Sequence, residues 1–322
     1  MDHTEKPTIV IPGDDPVQLT GSPHLERLRE IGNVQLYGDR PETDAEKIGR
    51  VADAEILINT RGVVKWPGSI LKHLVKLRFI TVCGIGTDSI DLETARRMGI
   101  VVSNIPGKTA PVVAEHAFGL MMAAAKRAAF QTSEVKAGRW TRMDNILISK
   151  KTLGVVGTGP IGSRMATLGR GLDMRVLAWT FHPSTARAAT LGVDYVEFDT
   201  LLRESDVVSL HLKLTPDSQS IIGRRELQLM KPGALLVNTG RGGLLDTAAL
   251  ITALQSGHLA GAALDVYPNE PISPEDPLLQ CDQVILTPHN ADQTAEGMNL
   301  LNEGVTDNVL AFLQGQPQNV VT

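Results

Sequence analysis

Short apolar runs alternate with amphipathic segments along the whole chain, and this alternation most constrains what the chain can fold into. The first series of runs is "TIVIPG" (8–13), "NVQLYG" (33–38), "AEILIN" (54–59), "LRFITVCG" (77–84) and "IVVSNIP" (100–106). Segments with helical spacing fill the gaps, among them "SPHLERLREIG" and "DLETARRMG", both ending on glycine. Strands that alternate with helices imply parallel βαβ units. A long helix-like stretch over 110–130 interrupts the rhythm. A second series follows: "KTLGVVG", "MRVLAWT", "DYVEF", "DVVSLHL", "ALLVNTG", "LAGAALDV" and "QVILTPH". The segment 293–315 reads as one closing amphipathic helix. The expected class is α/β, with two parallel-sheet domains and a helical joint, because no low-complexity linker separates the series.

Composition removes several other classes. At 322 residues with 42% hydrophobic content, the chain has material for one or two cores and is unlike a disordered chain. The net charge of −5 comes without a basic run, which argues against nucleic acid as a partner. The N-terminus "MDHTEKPTIV" lacks the apolar region of a secretory signal. Glu115, His116, Lys126 and Arg127 break the 110–130 stretch, so a buried helix suits it better than a membrane span. Cys83 and Cys281 stand far apart without metal-ligand spacing, which fits free thiols, a reducing compartment and no metal site. The expected location is the cytoplasm.

"GVVGTGPIG" places Gly157, Gly159 and Gly162 in a G-x-G-x-x-G pattern after a strand and at the start of a helix. In a dinucleotide fold the first glycine makes the tight turn. The second lets backbone approach a pyrophosphate, and the third lets helix pack on strand. Pro160 and Ile161 lie inside the same loop. The next strand, "RVLAWT", ends on Thr180 where a carboxylate would read a ribose 2′-hydroxyl. No acidic residue is present there, and Arg187 follows one helical turn after the loop. The choice between NAD and NADP stays open at this level.

Three polar residues fall just beyond strand ends: Arg241 in "VNTGRGGLLD", Glu270 in "DVYPNEP" and His289 in "TPHNA". Ligands of open parallel sheets bind at those ends. A histidine can deliver the proton that ketone reduction requires, and a carboxylate can orient it. An arginine can hold a substrate carboxylate. The glycines around Arg241 are read as allowing its guanidinium a close approach to the reactants. His116, His211 and His258 suit structural roles, although His211 also lies at a strand end on the cofactor side. Asp246 is the expected N-cap of "TAALITALQSG", with Gly257 ending that helix.

These residues carry a resemblance to the D-isomer-specific 2-hydroxyacid dehydrogenases. It rests on "GVVGTGPIG", "SDVVSLHLKLTPDSQSIIG", "LMKPGALLVNTGRGGLLD", "AGAALDVYPNEP" and "LTPHNA", and in the first half on "VCGIGTDSIDLETARRMGIVVSNIPG" and "VAEHAFGLMM". The resemblance implies Arg241 as substrate-binding residue, Glu270 as carboxylate partner and His289 as acid–base. Asp265 would meet the nicotinamide carboxamide, and the amides of Ile85 and Gly86 the substrate carboxylate. It implies a discontinuous substrate domain, 1–106 plus 291–322, a Rossmann domain over 107–290, and a homodimer. Departures from the pattern are Pro160 in place of a basic residue, Thr180 in place of aspartate, Lys213 near the cofactor edge and Asn290 after the histidine. Arg61 aligns with a loop that contacts substrate in phosphoglycerate dehydrogenases. A surface role suits it equally.

The implied function is reduction of a small 2-keto acid of the glyoxylate or hydroxypyruvate type by NADH or NADPH. With six Phe, three Trp and three Tyr in the chain, a large aromatic substrate is disfavoured. The alternative is a nicotinamide-sensing regulatory protein like the dehydrogenase-fold corepressors, which can retain the same trio. Formate or phosphite oxidation fits less well, because the residues around Cys83 and Asn290 do not match those specialists.

Overall fold

The computed structural model describes residues 6–322. They form two compact units: the described residues up to Thr109 together with Gln293–Thr322, and Ala110–Asp292. The sequence expectation placed the divisions at 106/107 and 290/291, and the observed ones fall a few residues later, before the helix Ala110–Ala125 and before the closing helix.

The first unit is built on five parallel strands: β1 (Thr8–Ile11), β2 (Asn33–Leu36), β3 (Ile56–Thr60), β4 (Phe79–Cys83) and β5 (Val101–Ser103). Their order is β2-β1-β3-β4-β5. Strands β3 and β4 are buried at every position. Alternate residues enter separate cores: Leu57, Ile80 and Val82 pack on one face, and Ile56, Ile58 and Phe79 on the other. That double burial is why these runs read as continuously apolar. Helix Pro23–Ile31 starts on Ser22, whose Oγ accepts from the His24 amide. Leu301, Val305 and Val309 of the closing helix Ala295–Leu313 complete the second core.

The second unit carries seven parallel strands: β6 (Thr152–Val156), β7 (Arg175–Trp179), β8 (Asp194–Tyr195), β9 (Val207–Leu210), β10 (Ala234–Asn238), β11 (Leu259–Leu264) and β12 (Val284–Leu286). The order β12-β11-β10-β9-β6-β7-β8 reverses direction between β6 and β9. That reversal opens a crevice at the carboxyl ends of the strands, where ligands of such sheets bind. Cores again lie on both faces, Leu236 and Val156 in one, Leu235, Val237 and Val155 in the other. Asp246 caps helix Thr247–Gln255 through the Ala249 amide, and Gly257 follows at φ +73°.

Two elements differ from the expectation. The helix expected over 110–130 ends at Ala125; Arg127 adopts φ +46°, and a separate helix Ala128–Lys136 follows. The "DYVEF" strand shortens to Asp194–Tyr195, because Phe198 turns into helix Phe198–Glu204 and packs on Trp179. No helix among the described residues is long and apolar enough to cross a membrane.

Candidate active site

The glycine loop links β6 to helix Pro160–Gly171. Gly157 sits at φ +96°, where a Cβ would also strike the His211 carbonyl at 2.7 Å. A Cβ on Gly162 would fall 1.9 Å from the Gly157 oxygen, so helix and loop meet at a distance that glycine alone allows. Gly159 differs: a Cβ there meets nothing within 4 Å, so the second glycine of the pattern leaves the backbone open to an approaching phosphate. Pro160 occupies the first helical turn, and no side chain caps the helix. Proline has no amide hydrogen, so the amides of Ile161 and Gly162 remain as donors to a phosphate. Buried polar atoms without a partner among the described residues include His211 Nδ1, Thr239 Oγ1 and Asn290 Oδ1, all just past strand ends of this sheet. The residues present therefore fit a dinucleotide. His211 itself turns Nε2 to the Ser209 hydroxyl at 2.9 Å. Burial lowers its pKa to about 4, so the ring is neutral.

Beyond β11 and β12 the structure brings His289 and Glu270 together, with Nδ1 to Oε2 at 2.6 Å. The other oxygen of Glu270 accepts from the Tyr267 amide at 2.9 Å. Burial opposes ionisation of Glu270. The His289 hydrogen bond, the Tyr267 amide and the charges of His289 and Arg241 outweigh it and hold the carboxyl below its usual range. With Nδ1 committed to a carboxylate, Nε2 is the nitrogen available to a substrate oxygen.

Arg241 follows β10 in extended backbone, φ −143° and ψ +144°. Asn238 pins its loop by donating to the Arg241 carbonyl at 2.9 Å and accepting from the Gly240 amide at 3.0 Å. None of the three neighbouring glycines has a positive φ. Their use is close packing. A Cβ on Gly242 would lie 2.0 Å from the Tyr267 carbonyl carbon, and one on Gly243 2.9 Å from Leu214. Gly242 lets the Arg241 loop nest against the segment that leads to Glu270, and Gly243 lets it pack on Leu214, a use that the sequence did not suggest.

Asp265 is fully buried, and its carboxylate accepts from Thr287 Oγ1 at 2.6 Å and from the amides of Asn290 and Ala291 at 3.0 Å. His116 Nε2 stands 3.5 Å from Asp265 and 3.3 Å from Thr287 Oγ1. Burial opposes ionisation here too, and the His116, Thr287 and Asn290 hydrogen bonds outweigh it, lowering the pKa. The Tyr267 hydroxyl donates to the Thr287 carbonyl at 2.9 Å; burial raises its pKa to about 12, so it stays a donor. Together Asp265 and Tyr267 clamp the loop that holds His289 at φ +50°. Sequence reading assigned neither this clamp nor His116 to the site. The clue was the placement of Thr287 and Asp265 at neighbouring strand ends.

The first unit holds the remaining predicted residues. Ile85 and Gly86 follow β4, and Asn104 holds the Ile85 carbonyl at 2.6 Å. Asn308 in turn holds the Asn104 carbonyl at 2.9 Å, a buried relay with no local sequence signal. Arg61 follows β3 at φ +52°. Its guanidinium reaches Gln18 at 3.5 Å, and the Gln293 carboxamide accepts from both terminal nitrogens when its oxygen faces them. Lys213 is exposed.

A glycine cradle at the switch point, a carboxylate-bound histidine and an arginine at adjoining strand ends define a nicotinamide-dependent oxidoreductase. Residues 118–291 match the family described as D-isomer specific 2-hydroxyacid dehydrogenase, NAD binding domain. The chain is 40% identical over 262 residues to the glyoxylate reductase of Aeropyrum pernix, covering 78% of each. It is 38% identical over 274 residues to the D-3-phosphoglycerate dehydrogenase of Archaeoglobus fulgidus, covering 84% of this chain and 52% of that one. The crystal structure of a glyoxylate reductase from Paecilomyes thermophila superposes with a TM-score of 0.88 at 30% identity, over 98% of both chains. The chain belongs to the D-isomer specific 2-hydroxyacid dehydrogenase family. It is an NAD(P)-dependent dehydrogenase.

Proposed function

We propose that the chain reduces small 2-keto acids of the glyoxylate and hydroxypyruvate type to the D-2-hydroxy acid. The observation that carries this reading is the 2.6 Å pair between His289 and Glu270, set on the sheet that bears the glycine cradle. When bound, the reduced nicotinamide supplies a hydride. His289 Nε2 supplies the proton to the carbonyl oxygen, and Glu270 stabilises the imidazolium before transfer and holds its orientation. Arg241 draws the substrate carboxylate and polarises the adjoining carbonyl. Asp265 serves the cofactor side through the loop it clamps. The glyoxylate reductases among the relatives support the small-acid choice. The phosphoglycerate relative makes a phosphorylated acid the competing substrate. A homodimer and a cytoplasmic location belong to the same reading.

Oxidation of NADH and of NADPH is followed by absorbance with glyoxylate, hydroxypyruvate, pyruvate and phosphohydroxypyruvate, using His289→Asn as control. Turnover on the first two, falling by about 10²–10⁴ in the variant, is expected. Equal rates in the variant would remove His289 from the chemistry. Turnover on phosphohydroxypyruvate alone would replace the small-acid substrate.

A further inference from the structure

The far end of the nucleotide crevice carries a cluster that the reduction chemistry does not use. The Gly157 amide donates to the Trp179 carbonyl at 2.7 Å, which ties the glycine loop to the last residue of β7. The next loop residue, Thr158, is 1% exposed, and its hydroxyl is met from two sides. Tyr195 at the end of β8 lies 2.6 Å away through its phenol oxygen. Arg187, from the helix after β7, donates through Nη1 at 3.4 Å. An exposed cation is thereby folded back onto the glycine loop. Ser184 fixes the base of its helix by accepting from the Arg187 amide at 3.3 Å.

What faces this cluster is set by β7. In such folds an acid at the end of that strand binds the adenosine 2′-hydroxyl, and a nearby arginine accommodates a 2′-phosphate. Here the strand runs out through Thr180, Phe181, His182 and Pro183, none of them acidic. An open cavity of about 540 Å³ adjoins, lined in part by Trp179, Thr180 and Tyr195. One carboxylate is in its lining, Glu197. It stands at the N-terminus of helix Phe198–Glu204 without a side-chain capping bond, beyond β8, one strand further from β6 than β7 is. Arg187, and not Glu197, is bonded to the glycine loop.

We propose that Arg187, Thr158 and Tyr195 form a phosphomonoester subsite for the adenosine 2′-phosphate, which makes NADPH the preferred reductant. The guanidinium offers a two-pronged cation to the phosphate dianion, and the half-buried Tyr195 phenol and the Thr158 hydroxyl supply further hydrogen bonds. The inference rests on the dehydrogenase reading only in placing a dinucleotide on the glycine loop.

Isothermal titration of the full chain with NADPH, NADH and adenosine 2′,5′-bisphosphate tests it without any keto acid. NADPH is expected to bind about 10–100-fold tighter than NADH, the range of a charge-assisted hydrogen-bonding site. Arg187→Ala should remove most of that preference while NADH affinity stays put, and Arg187→Lys should fall between. Adenosine 2′,5′-bisphosphate should lose affinity in parallel with NADPH. NADH binding as tightly as NADPH to the unaltered chain would overturn the subsite. So would equal weakening of both by Arg187→Ala. A loss of NADH affinity in Glu197→Gln, with no NADPH preference in the parent, would assign the ribose to Glu197 instead. If neither dinucleotide bound, the nucleotide site itself would fall, a result distinct from each of these.

Discussion

His289 sits at φ +50°, a backbone region that costs a non-glycine residue about 1–3 kcal/mol unless its surroundings impose it. The surroundings are the acceptors of Asp265, which take Thr287 Oγ1 and the amides of Asn290 and Ala291. Asp265→Asn keeps the shape but leaves one oxygen to do the work of two. We expect kcat to fall by about 10²-fold with KM for the keto acid little changed, because the imidazole is misplaced rather than removed. Steady-state kinetics would show this, and a fall in KM-dependent binding alone would contradict it. The pH sense follows from the direction of the shift. Asp265 has a lowered pKa in the folded chain, so its contribution to stability is present above the ordinary value of 3.8 and is lost as pH falls through the lowered one. Acid unfolding of Asp265→Asn should therefore be shallower than that of the parent in that window. The placement of Arg241, Glu270 and His289 just past strand ends was legible in the sequence, because each follows a recognisable apolar run. The clamp was not. Its donors come from residues 116, 287, 290 and 291, and nothing local in "GAALDV" announces that Asp265 would face them.

At the scale of elements, the strands and their order of appearance followed from apolar periodicity, and the departures have packing causes. The "DYVEF" run has strand composition, yet Phe198 gains more by packing on Trp179 from a helix. The glycine-rich turns divide into two kinds that the sequence alone does not separate. Gly242 abuts the Tyr267–Pro268 peptide, and an added methyl would overlap it. Gly242→Ala should destabilise the fold by about 1–3 kcal/mol or more, read as a drop in thermal midpoint. Gly159 faces open space at φ −66°, a conformation alanine adopts freely. Gly159→Ala should melt like the parent and lose dinucleotide affinity, read by titration. An unchanged affinity there would mean that the cradle is not where the pyrophosphate lies.

The whole molecule joins residues far apart in the chain. Gln18 Nε2 donates to Asn302 Oδ1 at 2.7 Å across 284 positions, and Asn302 returns a bond to the Gln18 carbonyl at 2.9 Å. Leu301, fully buried beside these groups, closes the core of the first unit with Ile9, Ile58 and Phe79. That unit cannot complete itself until the last helix has been made, whereas Ala110–Asp292 is one continuous stretch. This division predicts an asymmetric response to mutation. Leu301→Ala should cost about 2–5 kcal/mol of stability, concentrated in the first unit. Dinucleotide at about 100 times its Kd adds about 2.7 kcal/mol to whatever unit binds it. Hydrogen exchange on Leu301→Ala with saturating dinucleotide should therefore show amides of β1, β3 and β4 opening early while those of β6, β9 and β10 stay protected. Equal loss of protection in both sheets would show that the two units unfold as a single cooperative body.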